Sequence, residues 1–179
     1  MMAALATGLS PEHPREFDLG KASAVFVAIA IWLFAEIGSG KVASQADVAL
    51  LRRIKDVVNE HALSFLLKQD FGASFTDRQI SPIGEICSWH GVDIEFVDQK
   101  IEQAWKLTLA EFNSLNRLYA QHLGPAYRVD RLCAVPPGTD EWNMPKHLIE
   151  AVDALNSQAS KAYKAFNDFD RTARIRLNL

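Results

Sequence analysis

The 179-residue chain is predicted to be all-α: a helical bundle of about four main helices plus one short helix, with an irregular loop before the last helix. Three observations predict this. Three long segments place apolar residues at three- and four-residue steps, which lines up one face of a helix. A fourth segment is apolar on every face, as a helix at the centre of a bundle must be. The breaks between these segments fall on glycine, proline and capping residues. With 49% hydrophobic and 23% charged residues, the chain has the composition of a packed domain. Its length suits one core without disulfide or metal support. The expected organisation is a flexible N-terminal segment over 1–20 and a single helical-bundle domain over 21–179.

The first helix is expected from about Lys21 to Ile37, closed by Gly38, Ser39 and Gly40. The second opens on Ser44 as N-cap with Asp47 three residues on; Val48, Leu51, Ile54, Val58, Ala62 and Phe65 form its stripe, and Phe71-Gly72 ends the segment. Ser81-Pro82 reads as the start of a short helix running to about His90, because proline loses nothing at a first helical position. After Gly91 a long helix is expected from about Asp93 to Leu123, stopped by Gly124-Pro125. Its stripe is Val97, Ile101, Trp105, Thr108, Phe112, Leu115, Tyr119 and His122. Pro125 to Met144, centred on Pro136-Pro137-Gly138, reads as a surface loop that partly packs back. The last helix starts near Pro145 and carries Leu148, Val152, Leu155, Ala159, Ala162, Phe166, Phe169 and Ala173 close to a 3.5-residue period. Nothing in the sequence alternates as a strand should.

A net charge of −3 supplies no overall positive field for a nucleic-acid backbone. Cys87 and Cys133 are far apart and belong to no Cys/His cluster, so reduced thiols and a cytoplasmic setting are expected. Glu12, Glu16 and Asp18 ahead of the first apolar run argue against a secretory signal. The run from Ala22 to Ala35 falls short of the roughly 20 residues that cross a bilayer. Membrane association through 22–37 is the third-ranked reading, since Lys21 and Lys41 flank a stretch whose single charge is Glu36.

Several residue groups could carry chemistry. Gly38-Ser39-Gly40-Lys41 looks like the end of a P-loop, but Ala35 stands where its first glycine belongs and Val42 where serine or threonine is needed. Cys87, Gly91, Val92, Val97 and Ile101 have the spacing of a helix-turn-helix, yet Asp93, Glu95, Asp98 and Glu102 on the second helix would repel phosphates. Glu60, His61, Glu85, His90, His122, His147 and Glu150 lack both the Glu-x-x-His and the His-x-x-x-His spacing, so no metal and no cofactor is expected. Trp32 and Trp105 sit at apolar helical positions, whereas Trp89 and Trp142 lie near segment ends and are the candidate interface anchors.

Arg117 and His122 are separated by four residues in the long helix, and this pair resembles the arginine, four to six residues, histidine signature of HEPN-type ribonucleases. The resemblance implies a small helical bundle that dimerises around a composite, metal-independent RNA-cleaving site. In it, the pair Arg117 and His122 would polarise the scissile phosphate and move protons, work that a histidine titrating near neutrality can do. Leu118 departs from that family's pattern, which usually has a polar residue after the arginine. The favoured expectation is instead a non-enzymatic helical protein in a regulatory, adaptor or assembly role, whose partner is another protein or a second copy of itself.

Overall fold

A computed structural model describes residues 44–91, 94–126, 128 and 130–179, which belong to one compact unit. The helix expected over Lys21–Ile37, Trp32, the P-loop-like residues 38–41 and the boundary at residue 20 lie outside the described residues. Helix α1 is Gln45–Val57, and Ser44 caps it by accepting the N–H of Asp47 at 3.4 Å. Leu50, Leu51 and Ile54 turn inward, as the apolar steps require. The expected continuation to Phe65 is interrupted at Asn59, whose Oδ1 accepts from the N–H groups of His61 (3.0 Å) and Ala62 (3.1 Å). A side chain that caps so well opens a new helix. Helix α2, Glu60–Lys68, therefore starts on its own axis and buries Ala62, Phe65 and Leu66.

Helix α3 spans Asp77–Ser88 and begins earlier than Ser81-Pro82 suggested. Gln79 Oε1 accepts the backbone N–H of Thr76 at 2.8 Å and its hydroxyl at 3.0 Å, which fixes the first turn. Pro82 thus lies inside the helix, where its missing N–H would leave the Arg78 carbonyl without a donor. Ser81 Oγ supplies that donor at 3.1 Å.

Helix α4, Gln99–His122, begins at the cap of Asp98, not near Asp93. Upstream of it the backbone is held by carboxylates. Asp47, buried in α1, accepts from Val97 N–H (2.8 Å) and Asp98 N–H (3.0 Å), and Glu102 accepts from Phe96 N–H (2.8 Å). This arrangement drives Phe96 into the core against Trp105 and Phe169 and leaves Val97, expected to be buried, 72% exposed. It also removes the helix-turn-helix. That motif joins its helices through a three- to four-residue turn, whereas here the chain runs from Trp89 to Asp98 between α3 and α4, with Gly91 at φ 106°.

The long α4 pairs antiparallel with α5, Lys146–Leu177. Arg176 near the end of α5 meets Asp98 at the start of α4 at 2.6 Å, Thr108 Oγ donates to the Ala165 carbonyl at 3.1 Å, and Gln158 Nε2 donates to Glu111 at 2.6 Å. Ala159, Ala162 and Ala173 are small side chains buried in the same core, where Trp105, Phe112 and Leu115 pack with Leu155, Phe166 and Phe169. Asn178 ends α5 in the left-handed conformation at φ 56°. The all-α class holds.

One correction concerns strands. Phe75–Thr76 (β1), Gly124–Pro125 (β2) and Arg131–Cys133 (β3) form a small antiparallel sheet in the order β1-β3-β2, pairing Phe75 with Leu132 and Gly124 with Cys133. Strands of two and three residues are too short to alternate visibly, so the segment read as loop holds β3 and the last residue of β2, paired with Phe75–Thr76 from before α3. Cys133 and Ala134 are buried there, which is the expected packing back.

Candidate functional site

The segment from Pro125 to Pro145 leads to the most exposed aromatic among the described residues. Pro136-Pro137-Gly138-Thr139 is a tight turn: the Thr139 N–H donates to the Pro136 carbonyl at 3.2 Å, and Gly138 takes φ 83°, which a side chain would strain. Asp140 then caps a single 3₁₀ turn, Glu141–Asn143, by accepting the Trp142 N–H at 3.0 Å. The Asn143 N–H returns to the Asp140 carbonyl at 3.2 Å. Held by these bonds, the Trp142 side chain projects outward with 98% of its surface exposed. Met144, two residues on, lines a cleft of about 840 Å³ together with Arg131, Cys133 and Pro137.

Trp89, the other candidate anchor, has a different fate. It is half-buried at the end of α3, and the Arg53 guanidinium of α1 lies 4.1 Å from its ring centroid. That cation–π contact ties two helices together. Its face is occupied internally.

Arg117 and His122 both lie on α4. Arg117 is exposed and donates to Ser114 Oγ at 3.2 Å, while His122 is half-buried in the last turn. Five residues of helix turn their side chains about 140° apart. No hydrogen bond or ion pair among the described residues joins them, and neither lines a described cleft.

The thiols are free, and burial pushes both upward, Cys87 to about 11. Such thiols are poor nucleophiles near neutrality. Cys133 also touches the Val135 carbonyl, with Sγ 2.8 Å from the oxygen. Among the described residues no three His, Cys, Asp or Glu side chains gather where a metal ion could be held. No described helix is long and apolar enough to cross a membrane. The fold and its surface therefore define a helical bundle with an outward tryptophan turn. No protein-family model, curated protein or solved structure matches this chain.

Proposed function

We propose that this chain is a non-enzymatic helical module that works by contacting another protein, with Trp142 as the anchor. The observation that carries the reading is the exposure of an entire indole on a turn held by hydrogen bonds from Thr139 to Asn143. Leaving so large an apolar surface in water forgoes roughly 1.5–3 kcal/mol of burial, which a partner's pocket would recover. Tryptophan is among the residues that dominate binding energy at interfaces, and a preformed turn lowers the ordering cost of binding.

The geometry of α4 adds no support to the ribonuclease reading, which needs Arg117 and His122 drawn together by a second copy. The same material separates the two. The favoured reading predicts no RNA cleavage in EDTA by the wild-type chain, and cleavage that disappears in His122→Ala would replace it with the enzyme. Solution mass, measured across concentration for wild type and Trp142→Ala, then tells whether the contacted protein is a second copy. A concentration-dependent dimer lost on substitution identifies self-association.

A further inference from the structure

Three clefts on the described surface carry carboxylates in their walls: Glu111 and Asp168 in one, Asp70 in another, Glu95 and Glu102 in a third. A further cleft, between α2 and α3, has a volume of about 520 Å³ and carries none. Its charged and ionisable side chains are Lys68, Arg78 and His61. None of the three has an ion-pair partner among the described residues, whereas Lys55, Lys106, Arg171, Arg174 and Arg176 each pair with an aspartate or glutamate. In a chain of net charge −3, this wall carries positive charge with no carboxylate in its lining.

Two departures from the simple helical pattern build this cleft. Asn59 restarts the chain as α2, so that His61, Phe65 and Lys68 share one helical face. The Thr76–Gln79 interaction starts α3 early, which places Arg78 in its first turn and Pro82 deeper in the helix. Phe65 and Pro82 give the same cleft an apolar wall. Its volume falls within the range of about 300–1,000 Å³ typical of small-molecule sites. A guanidinium can grip two oxygens of one phosphate while an ammonium adds a point charge.

We propose that the α2–α3 cleft binds a small organic phosphate monoester, with Arg78 and Lys68 neutralising the phosphate and Phe65 and Pro82 packing the organic part. The site is separate from the Trp142 turn and stands or falls without it. The test is calorimetric titration of the full chain with phenyl phosphate at fixed ionic strength, with benzyl alcohol as the uncharged control. Saturable binding of phenyl phosphate alone is expected, weakened about tenfold or more by Arg78→Gln and by Lys68→Gln. Both side chains are on the surface, so neither change threatens the fold. A double Lys161→Gln/Lys164→Gln variant removes two charges from another cleft and should bind as wild type. Absence of phenyl phosphate binding overturns the proposal. So does binding that survives Arg78→Gln and Lys68→Gln, or that weakens equally in the Lys161/Lys164 variant.

Discussion

Trp105 and Trp142 are the same residue type with opposite fates, 1% and 98% exposed, and the contrast extends to the regions that hold them. Trp105 belongs to the α4–α5 pair, where helical periodicity aims every third or fourth side chain at one seam. Trp142 belongs to the crossover between those helices, where turn hydrogen bonds set direction. Helical repetition makes a core; a capped turn makes a presented side chain. The pair therefore supports the fold, and the crossover leaves its tryptophan in solvent.

The largest effect of substitution is expected in the seam. Phe166, 1% exposed, stacks on Phe112 at 6.1 Å and meets Phe169 at 5.8 Å. Phe166→Ala should cost about 3–5 kcal/mol in denaturant unfolding, through lost burial and the cavity left behind. A loss below about 1 kcal/mol would mean that the seam is not the core. Asp47→Ala should cost about 1–3 kcal/mol, because the N–H groups of Val97 and Asp98 lose their acceptor. Hydrogen exchange should then rise at those two amides before it rises in α4.

The seam also contains its own imperfections. Trp105 Nε1 and Tyr119 Oη are buried without a hydrogen-bond partner among the described residues. Tyr119→Phe removes one of them and should leave stability unchanged or raise it by up to about 1 kcal/mol. Burial raises the Tyr119 phenol above its ordinary range and the Cys87 thiol to about 11. In both cases the unfolded chain loses its proton first. The stability due to these neutral groups is complete below about pH 9, the ordinary thiol value, and declines as pH climbs through 11. Chemical denaturation across about pH 8–12 should show that decline, and it should be shallower in Cys87→Ala. Smallest of all in stability is Trp142→Ala, expected to move unfolding by less than about 0.5 kcal/mol because its side chain packs against almost nothing.

The two regions were unequally legible. Ile101, Trp105, Thr108, Phe112, Leu115 and Tyr119 are all buried as their spacing predicts, and so are Leu155, Ala159, Ala162, Phe166, Phe169 and Ala173. Local repetition carries that information. Val97 went the other way because Asp47, fifty residues earlier, holds its backbone outside the helix. Asn59 was a missed local signal: a capping side chain inside an apolar stripe. Thr76 and Gln79 were another, sitting ahead of the more conspicuous Ser81-Pro82. The exposure of Trp142 was not legible, because an indole near a segment end packs inward or outward according to the details of the turn. Lys68 and Arg78 likewise share a cleft only once α2 and α3 have been placed.

The most direct test of the Trp142 reading is site-specific photo-cross-linking in cells, with a photoreactive phenylalanine at position 142 and, as control, in place of the exposed Ser157 of α5. Position 142 should give one dominant protein adduct that is absent from position 157, and that partner should be lost from purified complexes of Trp142→Ala. Identical adducts from both positions, or none from either, would contradict that reading.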